Sequence, residues 1–483
     1  MSNPLPKQIT FSLGQTLRLS SFHVGSAMGD ILATSVWNRV LISDLGLPAG
    51  PVGLLIALRY LLFPISLWAG YRSDTQSLFG YYRTPYVWIG RFLMVLSFPL
   101  LALSLTMLGE NTASVAGWLV AFVCFLLYGI GTLFSGSPFL ALVRDSVPPQ
   151  KQGVAISMVQ TALITLFPVA AIGFGRWAQD YNAAVLWQMS LTTMLVGGFF
   201  WFFAIVGVEK RTRRLGGGPQ PGDTITRPDF GPVMRQIWLD QRTRLFFIFL
   251  SLSTFAAWMQ DNILEPFGGD VFDLPISQTT RFTGYWGGAT VLVLVPAFYF
   301  WRRRPPERQS GVTFWGLLLM AVGIALTGAA GLVQRVTLIN PALLLFGVGF
   351  GFYTFGGFSL MAVMSPDRNA GTYLGLWTIS VVIFKGLGTF FGGLLRDLLL
   401  GLHLPLNAAY GLSFIAAALG LVISAVLLLR LDVVGFARDA GRVATATDAQ
   451  MALSRLGGSG CTSQAQVMDT GLPVHAGRLL AIR

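Results

Sequence analysis

The chain has 483 residues, of which 53% are hydrophobic and only 11% are charged. Soluble domains carry about 25% charged residues, so this composition excludes an ordinary soluble domain and is typical of a protein that crosses the bilayer many times. The formal net charge is +12, but we expect the basic residues to lie in loops on one side of a membrane, so nucleic-acid binding is not expected.

Twelve apolar segments each approach the roughly 20 residues that a helix needs to cross the hydrocarbon core. They form two sets of six, at about residues 17–41, 50–70, 86–107, 115–141, 153–175 and 186–207, and at about 244–266, 282–301, 312–332, 338–363, 372–397 and 407–430. The sequence therefore predicts an all-α membrane protein with twelve transmembrane helices in two six-helix halves.

A polar, basic segment rich in Gly and Pro separates the two sets at residues 208–243, and its composition predicts a cytoplasmic linker. We therefore expect an N-terminal six-helix half at 1–207 and a C-terminal six-helix half at 244–430. Residues 431–483 are polar, with Gly and Ser, and are expected to form a largely disordered cytoplasmic tail.

Lys and Arg are concentrated in the loops that follow the even-numbered segments. These residues are Arg72, Arg83, Arg144, Lys151, the basic cluster within 210–214, the run 302–304 and Arg368. The loops after odd-numbered segments are poor in them. By the positive-inside rule, the basic loops and both chain termini face the cytoplasm.

A stretch of the second half has a weaker echo in the first half. Trp258 to Gly269 reads Trp-Met-Gln-Asp-Asn-Ile-Leu-Glu-Pro-Phe-Gly-Gly, and the earlier copy begins Trp37-Asn38-Arg39. The loops 148–153 and 366–371 also echo each other, because the spacing from Pro to Gly is the same in both. Two like-oriented six-helix halves are the arrangement of the major facilitator superfamily.

The loop after the second segment contains a cytoplasmic signature of that superfamily in altered form. Gly70 and Asp74 fit the signature, whereas its basic part is delayed to Arg83. We interpret these three residues as a charge-paired latch between neighbouring helix ends. The alternative is an ordinary solvated loop.

Three stretches resemble the PucC/LhaA family of phototrophic bacteria, also called the bacteriochlorophyll delivery group of the major facilitator superfamily. They are Leu17-Arg18-Leu19-Ser20-Ser21-Phe22 leading to Asn38-Arg39-Val40, then Arg72-Ser73-Asp74-Thr75 followed by Tyr82-Arg83-Thr84-Pro85-Tyr86-Val87-Trp88, and Gln260-Asp261 with Leu264-Glu265-Pro266-Phe267-Gly268-Gly269 and Thr279-Thr280. The resemblance covers roughly residues 14–430. The stretch from His23 to Asp30 departs from the family, so the subgroup stays open.

The resemblance implies a factor that assembles light-harvesting complexes and presents bacteriochlorophyll to nascent antenna polypeptides. The implied partners are those antenna polypeptides, the reaction centre or core complex, bacteriochlorophyll synthase and membrane lipids. The implied location is the bacterial inner, intracytoplasmic photosynthetic membrane. Bacteriochlorophyll is the expected, transiently bound pigment, and carotenoid is a second candidate. The alternative function is a secondary transporter that moves a small solute by alternating access.

Polar side chains within the apolar segments are candidate functional residues, because placing them in lipid is costly. The first segment carries His23, Asp30, Thr34 and Trp37 at spacings that predict one helical stripe, with Asn38 beside it. The other charges are Arg59 and Lys385, with Asp261 and Glu265 near the outer surface. Two interpretations stay open. The charges pair to fix helix packing, for example Asp30 with Arg59, or they line a cavity or a pigment groove.

The Mg of bacteriochlorophyll takes a nitrogen or oxygen atom as its fifth ligand. His23, Asn38 and Gln260 are the candidate pigment ligands, and Gln160 or a water could serve instead. A lone histidine on a helix face is also commonly a packing residue. Because the sequence shows no Cys/His cluster, phosphate loop or nucleophile elbow, we expect neither an enzyme nor a metal site.

Overall fold

The structure is a computed structural model that describes residues 11–148, 151–180, 182–209, 235, 238–301, 309–365 and 370–439. Its helices are α1 (Leu13–Ser20), α2 (His23–Ile31), α3 (Ala49–Leu61), α4 (Pro64–Thr75), α5 (Thr84–Glu110), α6 (Val115–Asp145), α7 (Gln152–Trp177), α8 (Ala183–Ile205), α9 (Gln241–Trp258), α10 (Leu264–Phe272), α11 (Ile276–Thr279), α12 (Arg281–Trp301), α13 (Ser310–Leu332), α14 (Ile339–Val363), α15 (Ala370–Gly401), α16 (Leu406–Leu429) and α17 (Val433–Asp439). All contacts reported below lie within the unit Met1–Phe436.

Nine helical segments within the described ranges are long and apolar enough to cross a bilayer. They are Ala49–Thr75, Thr84–Glu110, Val115–Asp145, Gln152–Trp177, Ala183–Ile205, Ser310–Leu332, Val336–Val363, Tyr373–Gly401 and Leu406–Leu429. The other predicted segments, 17–41, 244–266 and 282–301, also fall on helical residues, but the first two are interrupted. The prediction of an all-α, multi-pass membrane protein is confirmed, and the count of twelve crossings stays a prediction.

Several predicted features lie wholly or partly outside the described residues. They are the linker 208–243, the tail 431–483, the loops 148–153 and 366–371, and the basic runs 210–214 and 302–304. The boundaries 1–207 and 244–430 therefore stay predictions. The terms first half and second half refer to these two ranges below.

Polar caps begin three of the apolar helices. Ser114 Oγ accepts a hydrogen bond from Gly117 N at 3.1 Å at the start of α6, and Asn182 Oδ1 accepts one from Val185 N at 3.0 Å at the start of α8. The Asp240 side chain caps α9 in the same way. Because these side chains satisfy backbone N–H groups that have no partner inside the helix, they set where each helix begins.

The third and fourth predicted segments of each half pack through glycines. A Cβ at Gly90 on α5 would lie 2.5 Å from Gly131 O on α6, and a Cβ at Gly316 on α13 would lie 2.9 Å from Gly349 O on α14. Residues without a side chain allow two helices to approach this closely. The same close approach at equivalent positions supports the duplication inferred from the echoed motifs.

The two halves meet along two helix pairs, α3 with α15 and α7 with α12. In the first pair, a Cβ at Gly386 would lie 2.9 Å from Tyr60 Cβ, and in the second, a Cβ at Gly284 would lie 2.9 Å from Ile172 Cγ1. The helices meet in their middle and toward the loops that are poor in Lys and Arg. This seam carries most of the intramembrane polar residues that the sequence singled out.

Candidate functional site between the two halves

The two segments with the echoed sequence interrupt regular helical geometry in their respective halves. In the first half, π-helix replaces α-helix at Leu32–Trp37 and again at Val40–Asp44. In the second half, α9 ends at Trp258 and α10 begins at Leu264, with a turn at 259–263 between them. Irregular backbone at membrane depth is tolerated where protein buries it or where it lines a cavity, and π-helical turns are frequent at functional sites.

These two irregular segments pack against each other across the seam. Asn38 Nδ2 donates a hydrogen bond to Asn262 O at 2.9 Å, and Asn262 Nδ2 donates to Ala49 O at 2.7 Å. Ser35 Oγ donates to Glu265 Oε1 at 3.1 Å. The echoed motifs therefore form a direct polar contact between the halves, in addition to marking equivalent positions within them.

Glu265 lies in the protein interior rather than near the surface, where the sequence analysis placed it. Only 2% of the residue is exposed. Besides Ser35, Thr283 Oγ1 donates to Glu265 Oε1 at 2.7 Å. The difference arises because the turn at 259–263 is followed by α10, which continues the chain inside the bundle. Burial among hydroxyl donors makes Glu265 part of the seam.

The charges of the first half form a local ion pair. Arg59 on α3 pairs with Asp30 on α2, as the first of the two interpretations suggested. The guanidinium also lies 4.6 Å from the ring centroid of Tyr60 and 5.9 Å from that of Tyr128. Because the ion pair compensates a charge whose burial alone would be costly, Arg59 and Asp30 hold α2 and α3 together.

The lysine of the second half has a different environment. Lys385 Nζ on α15 lies 3.4 Å from the ring centroid of Trp258 and 4.9 Å from that of Tyr60, which belongs to the first half. No carboxylate within the described ranges lies within ion-pair distance of this ammonium group. The nearby Asp261 accepts a hydrogen bond from Thr389 Oγ1 at 3.2 Å. Lys385 therefore joins the halves through cation–π contacts.

The polar stripe predicted on the first segment is wrong as a single helical face. Asp30 pairs with Arg59 on α3, whereas Trp37 contacts α5, where its Nε1 donates to Ser104 Oγ at 3.1 Å. The cause is the π-helix at Leu32–Trp37. Because a π-helix has more residues per turn than an α-helix, it rotates the following side chains away from the face that a 3.6-residue period predicts.

The three candidate pigment ligands lie in the protein interior. His23 is 6% exposed, Asn38 0% and Gln260 2%. The His23 ring packs edge-on against Phe22 and Phe139, with centroid distances of 5.7 and 5.5 Å, and neither of its nitrogens has a hydrogen-bond partner among the described residues. Free nitrogens suit a Mg ligand, but this packing leaves no room for a flat macrocycle. The side chains do not fit bacteriochlorophyll in this conformation, and their role as ligands stays a prediction.

The latch residues lie together at the end that carries the basic loops. Arg83, just before α5, forms ion pairs with Asp74 at the end of α4 and with Asp145 at the end of α6, where Nε and Oδ2 are 3.3 Å apart. Gly70 lies where α4 packs on α6, and a Cβ there would be 3.4 Å from Ser137 Cβ, an ordinary van der Waals distance that does not require a glycine. The charges join three helix ends, and their role in a conformational change stays a prediction.

Sequence reasoning missed a second polar cluster at the opposite end of the seam. Asp397 on α15 accepts hydrogen bonds from Ala49 N at 3.0 Å and Gly50 N at 2.6 Å, at the start of α3. Its neighbour Arg396 pairs with Asp270 on α10 at 3.0 Å. A signal was present, since three charged residues near the ends of apolar segments favour pairing, but the backbone N–H partners are not visible in sequence.

Exposed aromatic side chains cover one flank of the first half. They are Trp88 and Phe92 on α5 and Phe199, Phe202 and Phe203 on α8, and we call them the aromatic flank. Trp88 stacks on Phe202, and Phe199 on Phe203, each with centroids 5.7 Å apart. The equivalent helices of the second half, α13 and α16, expose one aromatic side chain, Trp315, and otherwise aliphatic side chains such as Val322, Leu326, Leu419, Val422, Ile423 and Val426. Only the aromatic flank presents stacked flat rings to lipid among these four described helices.

Comparisons with known proteins agree with this architecture. A family model described as PUCC protein matches residues 36–436. The chain is 29% identical over 405 residues to "Protein PucC" of Rhodovulum sulfidophilum, an alignment that covers 80% of this chain and 85% of that protein. It is 30% identical over 422 residues to "Bacteriochlorophyll synthase 44.5 kDa chain" of Rhodobacter capsulatus, with coverage of 86% and 94%. The family assignment made from sequence motifs is confirmed.

Solved structures of transporters share the fold. Tetrameric PepTSo2 superposes with a TM-score of 0.63 at 13% identity, covering 88% of this chain and 98% of that chain. A mutant of the nucleoside transporter NupG gives 0.61 at 12% identity, with coverage of 86% and 100%. The D-xylose–proton symporter gives 0.60 at 16% identity, with coverage of 85% and 97%. At these identities the likeness shows the fold alone, and the predicted major facilitator superfamily fold is confirmed.

Proposed function

Because the chain belongs to the PUCC protein family, we propose that it serves the assembly of bacterial light-harvesting complexes. The observation that carries this proposal is the family match over residues 36–436, which takes in nearly all of the helical body. Relatives named "Protein PucC" and "Bacteriochlorophyll synthase 44.5 kDa chain" support a place in the production of photosynthetic complexes.

The proposed cargo is bacteriochlorophyll, and the proposed recipients are antenna polypeptides. The aromatic flank supports this step, because a planar macrocycle and an isoprenoid tail can pack on exposed rings without entering the helix bundle. The same surface could take a carotenoid. Since antenna polypeptides are themselves membrane helices, they can reach this flank by lateral diffusion in the bilayer. The proposal needs no ligand from the buried His23, Asn38 or Gln260.

The proposed setting follows from the same family membership. The protein works in the bacterial inner, intracytoplasmic photosynthetic membrane with both termini in the cytoplasm, and bacteriochlorophyll synthase and the reaction centre or core complex are its further partners. Its role is non-enzymatic, because it consists of positioning pigment and polypeptide rather than of making a bond. The family match and the fold shared with transporters support a protein that binds a pigment and transfers it to a polypeptide.

Copurification tests this proposal directly. The protein is isolated from a phototrophic host in mild detergent, and the absorption spectrum and accompanying polypeptides are recorded. We expect bacteriochlorophyll and antenna polypeptides with the wild type, and less of both with Phe92→Leu and Phe199→Leu combined. The matched control is Leu419→Val combined with Ile423→Val, two exposed aliphatic residues of α16, and this variant should retain as much pigment and antenna polypeptide as the wild type does. Absence of both pigment and antenna polypeptides from the wild type contradicts the proposal.

A second candidate function is secondary transport, and the observation that favours it is Lys385. This cation lies at the seam between the halves and makes cation–π contacts with Trp258 and Tyr60, where alternating access would expose it to a solute. Uptake of a solute into liposomes, driven by a pH gradient and lost in Lys385→Met, would support transport. The transport hypothesis would be contradicted if the wild type takes up no solute and the Lys385→Met variant still supports normal antenna assembly.

A further inference from the structure

A cavity of about 190 Å³ lies on the second half, on the side of the molecule away from the basic loops. Its wall is formed by the start of α12, by α11 and the residue Leu274 before it, and by the start of α14 with Val336 before it. The residues that line it include Gln278, Arg281, Phe282, Tyr285, Ile339 and Asn340. Pockets for drug-sized ligands measure roughly 300–1,000 Å³, so this cavity suits a compact polar group rather than a pigment.

Arg281 is the charged group of this cavity. It has no ion pair within the described ranges, and its Nε atom is buried without a hydrogen-bond partner there. The side chain is held in place by α7 of the first half, because a Cβ at Gly175 would lie 2.8 Å from Arg281 Cγ. A guanidinium that lines a cavity and has no carboxylate partner among the described residues has donors for a planar or tetrahedral oxyanion.

The rest of the lining adds neutral hydrogen-bonding groups and a favourable dipole. Gln278, Tyr285 and Asn340 bring two amides and a phenol to the same cavity. Asn340 lies in the first turn of α14, and the residue before that helix, Leu338, provides no side-chain cap. The positive end of the helix dipole therefore adds to the charge of Arg281. The lining residues include no Asp or Glu.

We propose that this cavity binds the phosphate group of an anion, for which a lipid headgroup and free phosphate are the two sources. Arg281 takes two of the phosphate oxygens, and the amide and hydroxyl donors take the others. The site is independent of the proposed role in assembly, because it lies on the opposite half from the aromatic flank. Since Arg281 packs against α7, an anion bound here would also hold the two halves together at this point.

Thermal stability of the full-length protein in detergent tests the site. The probes are dioleoyl phosphatidylglycerol, dioleoyl phosphatidylcholine and inorganic phosphate, each titrated against wild type, Arg281→Gln and Arg335→Gln. Arg335 is an exposed arginine of a neighbouring loop outside the lining and is the matched control for loss of one charge. The measured quantity is the phosphatidylglycerol concentration that gives half of the maximal stabilisation. We expect this concentration to rise at least about tenfold in Arg281→Gln, as loss of a charged hydrogen-bond partner implies, and to be unchanged in Arg335→Gln.

The probes separate the two sources. Stabilisation by phosphatidylglycerol, with or without phosphatidylcholine, but not by inorganic phosphate identifies a lipid headgroup. Stabilisation by inorganic phosphate as well identifies a free anion. If Arg281→Gln does not fold, two other variants replace it. Arg281→Lys keeps the charge but loses the bidentate geometry, and Asn340→Ala removes one amide donor. Both should weaken binding. Equal midpoints in wild type and Arg281 variants, an equal loss in Arg335→Gln, or no response to either anion overturns the proposal.

Discussion

The two halves pack their helices alike but treat their central charges differently. In the first half, Arg59 is neutralised by Asp30 on the neighbouring helix. In the second half, Lys385 has no carboxylate within ion-pair distance among the described residues and lies on the face of Trp258 instead. The two halves therefore share the helix packing at these glycines but differ in how their central charges are compensated.

The contrast indicates which charge is structural. A buried ion pair within one half fixes helix packing, because removing either partner leaves a buried charge uncompensated. A cation that contacts rings from both halves stabilises their contact only modestly. We therefore expect replacement of Lys385 to cost less stability than replacement of Arg59.

The largest effect is expected at Arg59. Arg59→Leu should lower the free energy of unfolding by about 3–5 kcal/mol, because it leaves Asp30, whose side chain is only 20% exposed, without its partner. Denaturant titration in detergent micelles measures the loss. Adding Asp30→Asn to the same chain should restore most of the stability. A double variant as unstable as Arg59→Leu alone would show that the ion pair does not fix the packing.

The next effect concerns the packing that the halves share. Gly90→Ala and Gly316→Ala should each lower the free energy of unfolding by about 1–3 kcal/mol, because the added methyl groups meet backbone atoms of α6 and α14. Gly288→Ala is the control, since nothing lies within 4 Å of a Cβ there, and it should cause no loss. Unequal losses at Gly90 and Gly316 would contradict equivalent packing in the two halves.

A smaller effect is expected at Lys385. Lys385→Met should lower the free energy of unfolding by about 0.5–2 kcal/mol, which is the range for loss of a cation–π contact. The same denaturant titration measures it. A loss as large as that of Arg59→Leu would mean that Lys385 has a carboxylate partner in solution, and the contrast between the halves would then disappear.

The smallest effect is expected at the latch. Arg83→Gln should lower the free energy of unfolding by at most about 1 kcal/mol, because the Asp74 side chain is 42% exposed and solvent screens the pair. Arg144→Gln is the control. Its ion pair with Asp145 is exposed on both sides, at 51% and 45%, and it should give no measurable change. A large loss from Arg83→Gln would place more of the stability at this end than at the seam.

Much of the fold could be predicted because the length of each apolar segment and the Lys and Arg residues in the adjoining loops can be read from short stretches of sequence. The helical segments followed from hydrophobic runs, and the ion pair of Asp30 with Arg59 was a natural suggestion for two unlike charges in neighbouring segments. The stripe on the first segment was wrong because nothing in the residue spacing reveals the π-helix at Leu32–Trp37.

Contacts between distant parts of the chain could not be predicted for a different reason. Asp397 caps α3 through backbone N–H groups of Ala49 and Gly50, and every non-proline residue carries the same group. The echoed motifs predicted a duplication, but the hydrogen bond from Asn38 to Asn262 depends on how the two halves dock. Arg281 drew no attention because its importance lies in the absence of a nearby carboxylate among the described residues.

Deletion of the gene in a phototrophic host tests the assembly role most directly. Light-harvesting absorption bands, normalised to total membrane protein, are compared between wild type, deletion strain and deletion strain carrying the gene on a plasmid. The account predicts that the bands fall in the deletion strain and return with the plasmid. Unchanged bands in the deletion strain would contradict a role in assembling the antenna.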